Sequence, residues 1–251
     1  MNSSTKKTTL LIFGFIIVLS IWIIIYLLKI YNPLILPSPL QVFKKFIFMF
    51  TKVNFIQSFV NTFIRIIISF SISAVIGIII GLIVGYYKLL DDLTKGIVDF
   101  IRSIPGIAFF PLFILFFGVG ELSRLMVSLV IAIPIIIIET KYGVIYSNKL
   151  RKNLGKLYNL SKYKLFTKII IPEVSPYIFT SLKVALSLTI IVVLVTEMII
   201  GTSFGLGNLL ILSQFQFETD MMFALIILLG LIGLLLNLVF NLIEKKIFHW
   251  R

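Results

Sequence analysis

SNKLRKNLGKLYNLSKYKLFTKIIIPEVSPY, running from Ser147 to Tyr177, is the one long basic and polar interruption in a chain that is otherwise almost wholly apolar. Eight Lys/Arg fall between Lys141 and Lys168, and no acid follows until Glu173. Between membrane spans such a segment stays on the cytoplasmic side, where Lys and Arg accumulate. Within it Leu150, Leu154, Leu157, Tyr158, Ser161 and Leu165 recur at three- and four-residue spacing, which makes one stripe of a helix. A short amphipathic helix standing in water between two spans needs something to dock against, and a partner protein is the expected occupant.

The sequence around this segment is that of a polytopic, all-α membrane protein. Of its 251 residues 59% are hydrophobic and only 13% charged, against roughly 25% charged in soluble domains; the mean hydropathy is +1.13. Several apolar runs approach or exceed the ~20 residues that cross a bilayer as helix. No polar stretch is long enough to bury a core of its own, so residues 1–251 read as a single transmembrane domain. It divides into 1–54 (first span and outer connector), 55–146 (spans two to four), 147–172 (cytoplasmic loop) and 173–251 (spans five and six).

In chain order, Thr8 to Leu28 is the first span; it is too long for the ~7–15-residue apolar core of a signal peptide and has no small-x-small cleavage site. Ile30 to Asn54 is a connector broken by Pro33, Pro37 and Pro39, with QVFKKFIFMF suited to a short interfacial helix. Phe55 to Tyr87 holds the second span. Ser73, Gly77, Gly81 and Gly85 repeat there every fourth residue, which predicts a helix face open to close approach. Lys88 to Lys95 is a short inner turn. Gly96 to Gly118 is the third span, broken by Pro105 and Pro111, and such breaks are tolerated where the freed backbone is buried in protein or lines a cavity. Val119 to Arg124 is a tight outer loop. Leu125 to Tyr146 is the fourth span, interrupted by Pro134. Pro172 opens the fifth, which runs to Ile200, with Glu173 at the positive end of the helix dipole. Gly201 to Asp220 is an outer loop, and Met221 to Leu242 is the sixth span. Six spans with both termini cytoplasmic place about 15 Lys/Arg inside and about 5 outside. Lys29, Lys44, Lys45 and Lys52 are the outer cations that run against that bias.

The net charge of +13 is divided among the membrane-flanking loops and not gathered on one polar face, so a nucleic-acid partner is not expected. Cysteine is absent and the lone His249 lies in the tail beside Trp250, so no metal or other cofactor is expected. There is no GxxxxGK[ST] phosphate loop, since Gly155-Lys156-Leu157 lacks the first glycine and the hydroxyl, and neither HExxH nor a nucleophile elbow occurs. The chain is therefore not read as an enzyme. Ionisable residues inside spans are costly and point to function. Arg65, Arg102, Lys183 and Glu197 are the candidates for a translocation pathway, against snorkelling or structural pairing with another helix. Lys183 and Glu197 share one span about 21 Å apart and cannot pair with each other.

These residues resemble a known family. The basic segment is similar to the cytoplasmic loop of permease subunits of binding-protein-dependent ABC importers of type I, which carries a Glu-Ala-Ala triplet, a glycine and, further on, a proline. Pro172 matches the proline, Asn159 falls at the glycine, and the triplet falls on Asn153, Leu154 and Gly155, so only its small third position is retained. Four further stretches resemble the nitrate, aliphatic sulfonate and taurine permeases. They are RSIPGIAFFPLFILFFGVGELSR (Arg102 to Arg124), SKYKLFTKIIIPEVSPYIFTSLKVALSLTIIVVLVTEMIIG (Ser161 to Gly201), and the shorter LPSPLQVF (Leu36 to Phe43) and SFGLG (Ser203 to Gly207) runs.

The resemblance implies a multi-pass cell-membrane protein in which two permease copies, expected to be identical, form the pathway within the lipid. An ABC ATPase subunit docks on the loop residues Asn153, Leu154, Gly155, Leu157, Tyr158, Asn159 and Pro172. An extracytoplasmic solute-binding protein delivers the substrate, and ATP hydrolysis belongs to the partner. A small anion such as nitrate, a sulfonate or taurine is the expected substrate; related permeases serve thiamine-precursor pyrimidines and other small solutes. A gradient-driven secondary transporter would instead show buried acids in two repeated halves. No such repeat is seen here, and no site presents itself for a membrane enzyme.

Overall fold

The structure, a computed structural model, describes residues 3–147, 157–201 and 203–247. Every regular element among them is helical. In order they are α1 (Ser3–Leu27), α2 (Pro39–Met49), α3 (Val53–Tyr86), α4 (Lys88–Ser103), and a 3-10 turn (Gly106–Phe109) leading into α5 (Phe110–Phe117). Then come α6 (Glu121–Tyr146), α7 (Lys162–Leu165), a π turn (Phe166–Ile170) leading into α8 (Ile171–Ile200), α9 (Leu206–Phe215) and α10 (Thr219–Ile247). Four helices are long and apolar enough to cross a bilayer: Val53–Tyr86, Glu121–Tyr146, the continuous run Tyr163–Ile199, and Thr219–Ile247. The bent pair Lys88–Ser103 and Gly106–Phe117 would be a fifth. Two shorter apolar helical stretches, Phe13–Leu27 within α1 and Leu206–Phe215, complete the apolar set among the described residues.

The centre of the bundle is α6, which packs along both α3 and α8. Small residues set the α3–α6 spacing. A Cβ added to Gly77, Gly81 or Gly85 would lie 2.7, 2.7 or 2.8 Å from the Cβ of Ile136, Thr140 or Val144 respectively. Every fourth residue of α6 thus enters a groove left by the glycine at every fourth position of α3, the close approach that apolar solvent rewards through van der Waals packing. Ser73 continues the stripe, fully buried, with its hydroxyl returned to the Ser69 carbonyl at 2.8 Å. On the α8 side Gly143 does the same, since a Cβ there would sit 2.9 Å from both Tyr177 Cβ and Val174 Cγ1.

A second cluster gathers Val42 and Met49 of α2, Phe55 of α3, Leu206 of α9 and Ala224, Leu225 and Leu228 of α10, with Trp22 against it. Trp22 stacks on Phe223 at 5.5 Å and donates its indole N–H to the Pro37 carbonyl at 3.1 Å. Helix α2 begins with a capping box: Ser38 Oγ accepts from the Gln41 N–H while Gln41 Oε1 accepts from the Ser38 N–H. Lys45, one of the cations counted against the charge bias, pairs with Glu218 at 3.1 Å and lies 3.7 Å from Asp220.

The elements differ from the sequence reading at five places, one of them the Val119–Arg124 loop, whose residues from Glu121 on already belong to α6. The inner turn Lys88–Lys95 is helical and belongs to α4, an amphipathic helix with no buried residue. The third span is thereby two pieces, bent by 92° where Pro105 removes a backbone donor. A Cβ on Gly106 would overlap Ile131 of α6, so this corner is packed directly on the bundle. The fifth span starts before Pro172. Proline offers no N–H to the preceding turn, and the ladder widens to a π turn in which the Ile171 N–H reaches the Phe166 carbonyl five residues back. Finally, the outer loop Gly201–Asp220 contains the apolar ten-residue helix α9. Leu115, Phe116, Ile191, Leu235 and Leu238 are more than half exposed, a surface suited to lipid tails.

Candidate functional site

Two of the predicted pathway residues meet. Glu197, in the last turn of α8, is fully buried. Its carboxylate accepts from Arg65 Nη1 of α3 at 2.6 Å, from Thr62 Oγ1 at 2.9 Å and from the Gly207 N–H at 2.9 Å. The last bond is the open N-terminus of α9 meeting a carboxylate, an arrangement favoured by the orphan amides and the helix dipole. Thr62 Oγ1 in turn accepts from the Leu206 N–H at 2.9 Å. Gly207 is obligatory here because a Cβ would overlap the Leu194 carbonyl oxygen. The SFGLG run therefore has a physical role: it lets the start of α9 lie against the end of α8.

Arg65 has a second acid that the sequence reading does not identify. Its Nε and Nη2 donate to the two oxygens of Glu121, each at 2.7 Å, and its Nη1 also reaches the Phe204 carbonyl at 2.9 Å. Glu121 is the first residue of α6. One turn on, Arg124 donates Nη1 to Glu121 at 2.8 Å and Nη2 to the Gly201 carbonyl at 3.0 Å. Arg124 is buried, and its Nε has no hydrogen-bond partner among the described residues. Two guanidinium groups and two carboxylates thus join α3, the start of α6, the end of α8 and the backbone leading into α9. The acids differ: the Glu197 side chain is 0% exposed and that of Glu121 is 62% exposed.

A cavity of about 500 Å³ opens beside this network. Ile64, Ile68, Leu125 and Val193 give it apolar walls, and Arg65, Glu121 and Arg124 supply its charge. A neighbouring cavity of about 310 Å³ shares those three charged residues and reaches Ser203 and Phe204. The sequence reading places Glu121 and Arg124 in a tight loop. The signal that would have found them is a Glu and an Arg three residues apart directly after a glycine, the pattern of a helix start carrying an ion pair.

The other predicted residues lie elsewhere. Arg102 lines a small cavity of about 130 Å³ with Lys95, Asp99 and Glu139 at the opposite end of α6, near the buried Lys141, which pairs with Asp91 at 2.7 Å. Lys183 donates to Asn241 Oδ1 at 2.5 Å and ties α8 to α10. Of the loop residues, Asn153, Leu154 and Gly155 lie outside the described residues. Leu157 and Tyr158 are 77% and 79% exposed, and Pro172 stands in the first turn of α8. Asn159 has φ of 51°, the left-handed region that glycine occupies freely and Asn tolerates better than most residues.

Residues 73–249, well over half of the chain, match the family described as binding-protein-dependent transport system inner membrane component. A protein of Methanocaldococcus jannaschii, provisionally named as an ABC transporter permease, is 31% identical over 166 residues, 66% of this chain and 62% of that protein. The nitrate import permease protein of Leptolyngbya laminosa is 29% identical over 159 residues, 63% of this chain and 57% of that protein. The match thus spans less than two thirds of either relative's length. The taurine transport system permease protein of Escherichia coli is 24% identical over 251 residues, 98% of this chain and 91% of that protein.

Proposed function

The chain belongs to the binding-protein-dependent transport system inner membrane components, and from that premise we propose that it is the permease subunit of an ABC importer for a small anion. It lines the translocation pathway and takes its energy from a separate ATPase. The observation that carries the reading is the family match across spans two to six, including the loop after α6. That loop presents Leu157 and Tyr158 to solvent with no phosphate loop anywhere in the sequence. An ATPase docked there, a solute-binding protein on the opposite face and a second, identical permease copy complete the assembly that the resemblance implies.

Six spans with both termini inside is the reading adopted: α3, α6, α8 and α10 are long and apolar enough to cross, the bent α4–α5 pair makes a fifth, and α1 supplies the sixth. On that topology the Lys45–Glu218 pair and the Arg65 network are outside or near the outer face. The Lys141–Asp91 pair and the basic loop are inside. Rigid helices packed on small residues rock as bodies, and force applied at the loop enters α8 through the π turn and Pro172. Relatives named for nitrate, sulfonate and taurine transport support a small oxyanion as substrate.

Co-purification tests the coupling. The cognate ATPase is expected to stay bound to the wild-type permease. Leu157→Asp with Tyr158→Asp is expected to weaken the complex about a hundredfold or more, since burying one large apolar side chain is worth about 1.5–3 kcal/mol. Undiminished ATPase capture by that variant removes the loop from the docking site.

A further inference from the structure

We propose that Glu121 is a placeholder in an oxyanion slot, and that the transported anion takes its place between Arg65 and Arg124. The inference rests on the importer reading given above and assigns a substrate site within the permease itself.

Geometry points there first. Arg65 meets Glu121 side-on, with Nε and Nη2 each 2.7 Å from one carboxylate oxygen, and Arg124 Nη1 adds a third donor at 2.8 Å. This forked arrangement recognises any flat or tripod oxyanion, and the chain has filled it with its own carboxylate. The two acids are also unequal. Glu197 is enclosed and held by Thr62, Arg65 and the Gly207 N–H. Glu121 has a side chain 62% exposed, and the two guanidinium groups are what hold its carboxylate. Glu121 can swing out and leave every other contact of the network in place, whereas Glu197 cannot.

Charge points the same way. With Glu121 withdrawn, Arg65 and Arg124 face Glu197 alone, and the site carries one net positive charge. A monoanion restores neutrality; a neutral solute or a cation does not. Arg124 also keeps donor capacity that Glu121 leaves unused, its buried Nε having no partner among the described residues. Buried donors of this kind carry a cost until they are satisfied. The cavity of about 500 Å³ with Ile64, Ile68, Leu125 and Val193 on its walls accommodates a short organic tail. The ligand class is therefore a small monoanionic oxyanion with a compact apolar body, such as a short alkanesulfonate.

Binding of ethanesulfonate to the purified full-length permease in lipid nanodiscs, with neither ATPase nor binding protein, tests the slot by calorimetry. Glu121→Gln removes the internal competitor and is expected to bind ethanesulfonate about tenfold more tightly than wild type. Adding Arg124→Gln to that variant is expected to abolish the gain, and the neutral isostere ethyl methyl sulfone is expected to bind all forms alike. Glu121→Asp, which keeps an acid at the start of α6 and draws it back from the fork, is expected to gain in the same direction and serves if the Gln variant does not fold. No gain in either variant, or an equal gain for the sulfone, overturns the proposal. ATP-driven uptake by the whole assembly is the separate readout. Uptake without any gain in binding sinks the slot and leaves the importer reading standing. A gain in binding without uptake leaves an anion site but overturns its part in transport.

Discussion

Glu197 and Glu121 both touch Arg65, yet they have different roles. Glu197 is fully buried and satisfies a guanidinium, a hydroxyl and a backbone amide at once. Breaking a buried ion pair from one side leaves an uncompensated charge at a cost of about 3–5 kcal/mol. An exposed pair is worth about 1 kcal/mol or less. Glu197→Ala is therefore expected to lower the thermal unfolding midpoint of the detergent-purified protein sharply. Glu121→Ala is expected to lower it less, because Arg65 keeps Glu197 and Arg124, although it loses its ion pair, keeps the Gly201 carbonyl. The reverse order would contradict this assignment of roles. Arg65 and Glu197 are each legible in the sequence, since each is an ionisable residue in an apolar run. Their pairing across 132 positions depends on how α3 and α8 cross, which no local pattern encodes. Glu121 and Arg124 are hidden because a short polar stretch between spans reads as a turn, and only the packing shows that Glu121 joins Arg65 to a buried Arg124.

At the scale of the helix, small residues carry the information that apolar runs lack. The stripe Ser73, Gly77, Gly81 and Gly85 is visible as a spacing, and in the structure its glycines lie against Ile136, Thr140 and Val144. Gly81→Val is expected to force α3 and α6 apart, since even a Cβ would meet Thr140 Cβ at 2.7 Å and the Ile137 carbonyl at 2.9 Å. Overpacking of this kind costs about 1–3 kcal/mol. Gly230→Ala, in α10 with open space around it, is expected to be neutral or mildly stabilising. Parallel thermal melts check both, and equal behaviour of the two would remove the argument that α3 and α6 are spaced by glycine. The elements that the sequence misplaces share one cause. Proline reads as a helix boundary, whereas at Pro172 the helix continues through a π turn. The glycines around Leu206 read as a loop, whereas they admit an apolar helix to the end of α8.

Across the whole molecule, charge and apolar length together organise the chain. The basic segment that interrupts it leads into α8, the helix whose far end carries Glu197. The loop after α6 and the charge network at the far end of α8 are thus joined by the continuous run Tyr163–Ile199. The cations that run against the charge bias are partly accounted for, since Lys45 is neutralised by Glu218. Which buried charges converge is a property of the assembled bundle, and no single span reveals it. The central claim is that this chain moves its solute only when a separate ATPase works on it. The direct measurement is uptake of labelled ethanesulfonate and nitrate into proteoliposomes holding the permease, its cognate ATPase and its solute-binding protein. Uptake is expected to require ATP inside the compartment that faces the basic loop, and to vanish with an ATPase unable to hydrolyse it. Uptake by the permease alone, driven by an ion gradient and indifferent to ATP, would contradict the account.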